Sequence, residues 1–217
     1  MKILLLDKTA SGEDLDYTPL AQFGPVWDCG NRKTEVEMLR LAAHPLYGDA
    51  EGILCNKAPM TAAVQEAFPK LRYIGLFATG YNNVDTEQAK KRGIAVCNVP
   101  AYSTESVAQH TFALILEITN HVGHYTELVH EHQWEKSLDF TFIDRPLTQL
   151  SGRSLGIIGY GSIGKRVARI AEAFGMTVHV YSKDPDAAVQ SDILTLHCPA
   201  TADNRGFINK DFISKMK

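Results

Sequence analysis

The chain has 217 residues, with 22 Lys and Arg against 25 Asp and Glu, and a net charge of −3. That length builds one large or two small domains with real cores, and so even a charge balance gives no reason to expect a nucleic-acid or anionic-membrane partner. The first apolar run, Ile3–Leu6, closes at Asp7 and is too short for a signal-peptide core or a membrane span. Short apolar runs at 2–6, 25–28, 52–55, 73–78 and 94–99 predict strands, and Thr34–Ala43, Thr61–Phe68 and Asp85–Arg92 between them predict helices. Such alternation implies a mostly parallel sheet with helices on its faces. Pro100 ends the fifth strand, and Ser103–Asn120, small or apolar on most sides, predicts a helix buried between domains or subunits. Residues 121–153 lack clear periodicity and read as an irregular arm.

The stretch 154–181 carries the sharpest signal. An apolar strand, Ser154–Ile158, runs into Gly159-Tyr160-Gly161-Ser162-Ile163-Gly164, a helix pattern follows, and a second strand spans Thr177–Tyr181. Glycines at this spacing between strand and helix allow a tight turn, a close approach to a pyrophosphate and tight helix–strand packing. The helix N-terminus then offers free N–H groups to the phosphates, with Ser162 and Ile163 contacting them through their backbone. Only one further strand, 193–196, follows, so this unit holds three strands where a complete dinucleotide domain has six. About eleven residues, Ser182–Asp192, separate the last two strands, near the lower limit for a parallel crossover with its helix. That helix is expected to be missing, with Asp184–Ala188 marking a junction where a segment has been lost. A last helix is expected at Asn209–Met216.

Cys29, Cys55, Cys97 and Cys198 show no paired spacing, which fits a reducing cytosol and argues against a disulfide framework or a zinc site. His121, His124, His130 and His132 are close together, but no complete ligand set accompanies them, and no metal is expected. His110 reads as a hydrogen-bonded structural histidine inside the helix, and His197 as a residue that packs or caps after its strand.

Three further stretches, Ala78-Thr79-Gly80-Tyr81-Asn82-Asn83-Val84-Asp85, Gly93–Pro100 continuing through Tyr102–Thr111, and Ser191–Pro199, complete a pattern covering essentially the whole chain. With the glycine turn, they make the sequence resemble the D-isomer-specific 2-hydroxyacid dehydrogenases, especially the glycerate dehydrogenase/hydroxypyruvate reductase branch. Gln109 stands before His110 where that family usually has Glu. The resemblance implies an α/β protein of two Rossmann-like domains. A flavodoxin-like substrate domain would span 1–100. An incomplete NAD(P)-binding domain would span 101–217, with a dimerisation helix and arm at 103–153 and a Rossmann core at 154–217. It implies a cytoplasmic homodimer that moves hydride between a nicotinamide cofactor and a small 2-oxo or 2-hydroxy acid, hydroxypyruvate/glycerate or glyoxylate/glycolate. A non-catalytic dinucleotide-sensing protein, or an inactive fragment on the same fold, is the alternative.

The resemblance also implies site residues. Backbone N–H groups at Thr79 and Gly80 would meet the substrate carboxylate, with Thr79 also near the cofactor. Asn56 and Lys57 would lie on the same edge, Lys57 being either a positive charge toward the acid or a solvated surface lysine. Gly159, Gly161, Ser162, Ile163 and Gly164 would hold the pyrophosphate, and Cys198 would line the dinucleotide cleft. At the end of the second strand, Ser182 stands where the family's NAD users commonly have Asp. A hydroxyl beside the Lys183 ammonium would accept a 2′-phosphate that a carboxylate would repel, which favours NADP over NAD, although Asp184 lies one residue on. The family's catalytic Arg, Glu and His are expected beyond residue 217, so no residue of this chain is assigned a catalytic role.

Overall fold

The computed structural model describes residues 1–12, 15–201 and 203–217 and divides into two compact units, Met1–Tyr102 and Ser103–Lys217. In the first unit, β1 (Ile3–Leu5), β2 (Val26–Asp28), β3 (Gly52–Cys55), β4 (Tyr73–Leu76) and β5 (Ala95–Cys97) pair in parallel in the order β2-β1-β3-β4-β5. That is the flavodoxin-like strand order. The helices α1 (Glu35–Ala42), α2 (Ala62–Ala67) and α3 (Thr86–Lys91) start where side chains satisfy their free N–H groups. Thr34 and Glu37 form a reciprocal capping box, and Thr61 and Asp85 cap the other two. The core is continuous from Leu4 and Leu6 through Met38, Ile53, Met60 and Val64 to Phe68 and Ile74, all fully buried. Between β1 and β2 the chain crosses in two 3-10 segments, Lys8–Ser11 and Thr18–Phe23. The strands predicted at 73–78 and 94–99 stop earlier, because Ala78 and Val99 leave the ladder to pair with each other through the Val99 N–H.

The second unit has three parallel strands, β6 (Ser154–Ile158), β7 (Thr177–Val180) and β8 (Ile193–Leu196), in the order β7-β6-β8. Its long helix α4 (Thr104–Asn120) buries Ala108, Phe112, Ile115 and Thr119, a single stripe at helical spacing, while Leu114 and Ile118 are open at 53% and 72% exposure. His110 lies on the open side with no hydrogen bond among the described residues, which corrects its reading as a buried structural histidine.

The arm at 121–153 is also not irregular throughout. A nine-residue helix, α5 (Val122–His130), begins directly after His121, whose left-handed backbone (φ 52°) ends one helix and starts the next. Helix α6 (Ser162–Ala173) follows the glycine turn, and a short α8 (Lys210–Ile213) closes the unit within the predicted 209–216. The crossover expected to lack a helix has one. The five-residue α7 (Pro185–Val189) is capped by the Asp184 carboxylate, which accepts from the Ala187 N–H at 3.0 Å. It fits because β6 carries Gly156 beneath it: a Cβ there would lie 2.1 Å from the Ala188 carbonyl oxygen. Among the described residues no helix is long and apolar enough to cross a membrane.

Candidate functional site

The three glycines after β6 have three different reasons. Gly159 has φ 94°, a conformation that side chains rarely adopt, and a Cβ on it would sit 2.4 Å from the Cys198 nitrogen. A Cβ on Gly164 would meet the Gly159 carbonyl oxygen at 2.2 Å, so α6 packs on the turn only without one. Among the described residues nothing lies within 4 Å of such a Cβ on Gly161, and its φ of −79° suits any residue. Its neighbours in the fold therefore do not require the middle glycine.

Gly161 is the first residue of α6's cap, and no side chain there accepts the helix's N–H groups. The amides of Ser162, Ile163 and Gly164 are left for an outside anion, and an uncapped N-terminus carries a partial positive charge. The space beside Gly161 is a cradle that a Cβ would fill, so the residues present fit a pyrophosphate. The end of β8 walls this turn: the His197 N–H donates to the Ile158 carbonyl at 2.7 Å, and the exposed Cys198 presses its backbone on Gly159. The His197 ring meets the Thr195 hydroxyl at 3.0 Å, and burial holds its pKa below the usual histidine value.

At the end of β7, Ser182, Lys183 and Asp184 are all exposed. The Lys183 ammonium stands over the Tyr160 ring, 5.9 Å from its centre, which brings a positive charge to the glycine turn. One oxygen of the Asp184 carboxylate accepts from the Ala187 N–H as the cap of α7. His124, one of the clustered histidines, pairs with Asp144 at 2.7 Å. Among the described residues no three His, Cys, Asp or Glu side chains form a metal-binding group.

In the first unit, the sheet order sets the loops after β1, β3 and β4 side by side at the C-terminal edge, where open α/β sheets bind ligands. The Thr79 hydroxyl donates to the Val99 carbonyl (3.1 Å) and the Asn98 amide donates to the Thr79 carbonyl (2.8 Å), which pins the loop after β4. Gly80 next to it is exposed, has no left-handed φ, and a Cβ on it would make only an ordinary 3.6 Å contact with Asn82. Its lack of a side chain serves nothing in the turn and leaves the loop backbone open to close approach.

Lys57 is exposed, and among the described residues its ammonium makes no ion pair. The amides of Asn56, Lys57 and Ala58 are not free. All three donate to one oxygen of Asp7, at 3.0, 2.7 and 2.8 Å. Asp7 is 5% exposed and sits in the left-handed region (φ 56°), which Asp tolerates better than most residues. Sequence reasoning passed over Asp7 as the residue that merely ends the first strand.

A flavodoxin-like unit followed by a Rossmann-type half-domain with an open glycine cradle defines a protein of the dinucleotide-binding α/β class. The family model for the D-isomer-specific 2-hydroxyacid dehydrogenase catalytic domain matches residues 19–216. A hydroxypyruvate reductase of Blautia hydrogenotrophica is 41% identical across 100% of this chain and 71% of its own length. A glycerate dehydrogenase of Methylorubrum extorquens is 36% identical over 77% of this chain, which spans 56% of that relative. Among solved structures, the D-lactate dehydrogenase of Aquifex aeolicus, complexed with NAD and lactic acid, superposes with a TM-score of 0.75 at 28% identity over 99% of this chain and 66% of its own. The chain belongs to the D-isomer-specific 2-hydroxyacid dehydrogenase family, whose members are oxidoreductases that use NAD(P). Its match to the Blautia enzyme runs over 235 positions, more than this chain's 217 residues, so that relative has positions for which this chain has no residue.

Proposed function

We propose that the protein reduces a small 2-oxo acid, hydroxypyruvate or glyoxylate, by hydride transfer from a nicotinamide dinucleotide, with NADP preferred over NAD. The observation that carries this reading is the open space at Gly161 beside an uncapped α6. Gly159, Gly161, Ser162, Ile163 and Gly164 hold the pyrophosphate, and Cys198 forms the wall beside it. The NADP preference rests on charge at the end of β7. Ser182 and Lys183 receive the 2′-phosphate, while the Asp184 carboxylate accepts from the Ala187 N–H as the cap of α7. Backbone amides at Thr79 and Gly80 orient the substrate carboxylate, Thr79 also borders the cofactor, and Asn56 and Lys57 flank the acid. The bound dinucleotide supplies the hydride. The chain's own residues supply orientation, and none of them is assigned the proton transfer.

We further infer a cytoplasmic homodimer, supported by the open Leu114 and Ile118 stripe of α4, which a second copy would cover. The test is turnover by the complete gene product, assayed with NADPH and NADH against a panel of 2-oxo acids. Oxidation of NAD(P)H by hydroxypyruvate or glyoxylate is expected, and its absence across the panel overturns the assignment. Lys183→Ala is expected to weaken NADPH binding about tenfold while NADH changes less than about twofold, as loss of one charge-assisted phosphate contact requires. Equal losses for the two cofactors would refute the NADP preference.

A further inference from the structure

Three successive amides that converge on one point make a ready place for an anion. The loop after β3 has such a place, and Asp7, about 50 residues away in sequence, already fills it. We propose that Asp7 is a positioning residue of the substrate site: it occupies the 56–58 amide nest from within, so that a substrate carboxylate cannot lodge there and is left to the loop after β4. This rests on the assignment of that sheet edge to a 2-oxo acid.

The geometry supports more than a structural tie. The carboxylate is buried, yet one of its two oxygens takes all three donors, and among the described residues its other oxygen has only a long 3.4 Å contact with the Arg32 N–H. Charge-assisted bonds of this length are roughly twice as strong as neutral ones. They fix the backbone of Asn56 and Lys57 while leaving the Lys57 ammonium exposed and unpaired among the described residues. Thr79 and Gly80 lie on the neighbouring strand's end, since β3 and β4 are adjacent in the sheet. Two amide sites thus stand next to each other on one edge. A carboxylate supplied by the chain closes the first, and the substrate's own carboxyl group is directed to the second.

Asp7→Ala and Asp7→Asn, made in the complete gene product, test this. With Ala the nest is vacant, and small carboxylates should enter it. KM for the 2-oxo acid is expected to rise between about 10- and 100-fold, the range for misplaced reacting groups, while KM for the dinucleotide moves less than about twofold. Added formate should fill the vacancy and restore the KM of Asp7→Ala. It should do nothing for the wild type or for Asp7→Asn, whose side chain still occupies the space. An unchanged KM for the 2-oxo acid in folded Asp7→Ala, or an equal rise for the dinucleotide, overturns the proposal. The nest is also read without turnover: in labelled Asp7→Ala, formate should shift the amide resonances of residues 56–58 selectively. A wild type that reduces no 2-oxo acid would refute the assignment of function. Absence of the formate shift would refute the role of Asp7 whatever the activity.

Discussion

Gly161→Ala separates a glycine kept for a ligand from glycines kept for the fold. Among the described residues a Cβ at 161 has no heavy atom within 4 Å, and the backbone angles there (φ −79°, ψ −159°) are open to alanine. Losing a glycine's unfolded-state freedom without strain stabilises a protein by about 0.4–1 kcal/mol. Stability should therefore hold or rise slightly. Gly164→Ala is the contrast, because its Cβ would lie 2.2 Å from the Gly159 carbonyl oxygen, more than 1 Å inside ordinary contact. Either α6 shifts or the turn opens, and overpacking of this kind destabilises by about 1–3 kcal/mol. If the proposed pyrophosphate site is right, both variants should bind dinucleotide poorly, Gly161→Ala by at least about tenfold, because its methyl group would occupy the space assigned to the phosphate. Urea unfolding and calorimetric titration with NADPH measure the two quantities on the same samples. If Gly161→Ala binds NADPH as tightly as the wild type, the open space beside α6 is not the pyrophosphate site. If Gly164→Ala is as stable as the wild type, the packing argument fails separately.

Two other expectations concern thiols and acid. Burial raises the Cys29 thiol above its usual pKa and pushes Cys55 up to about 12, whereas Cys97 and Cys198 are exposed. An aromatic disulfide reagent should label Cys97 and Cys198 in the native protein and reach Cys29 and Cys55 only on unfolding, with bound dinucleotide slowing Cys198 alone. Uniform labelling of all four would contradict the burial pattern. Asp192 accepts from the Lys217 ammonium and from the Ser154 N–H and hydroxyl, which hold its carboxyl well below the usual range. Its contribution to stability is then present above about pH 4 and is lost as pH falls through its lowered folded-state value. Urea midpoints of Asp192→Asn should lie below the wild type at neutral pH and converge on it in acid. A gap that stays constant down to pH 2 would rule out this linkage.

The parts legible from sequence were those whose physical reason lies in neighbouring residues. The strand–glycine–helix turn could be read because each of its constraints falls within six positions, and the flavodoxin-like order followed from regular alternation. The helix α5 was hidden because His121 and Gly123 break the periodicity at its start, although the break is only one left-handed residue deep. The five residues of α7 are too short to display a helical period, and its fit depends on a missing side chain at Gly156, on another strand. Asp7 was hidden for a similar reason. Its partners are backbone amides 49 to 51 residues away, and an amide donor leaves no mark in residue identity.

Among the described residues, five of the eight α-helices start on a side chain that satisfies their own amides. Thr34, Thr61, Asp85, Asp184 and Asn209 cap α1, α2, α3, α7 and α8 with their own side chains. Helices α4, α5 and α6 have no such cap, but only α6 begins on a glycine with open space in front of it. Glycine as a cap is only a few tenths of a kcal/mol worse than serine or aspartate, so stability exerts little selection either way. A serine or aspartate there would satisfy the helix from within, as Asp7 satisfies the 56–58 amides. The carboxylate of an aspartate would also repel a phosphate. The chain thus closes the 56–58 amides with its own acid and caps α6 with no side chain, and the start of α6 is where the proposed pyrophosphate site lies.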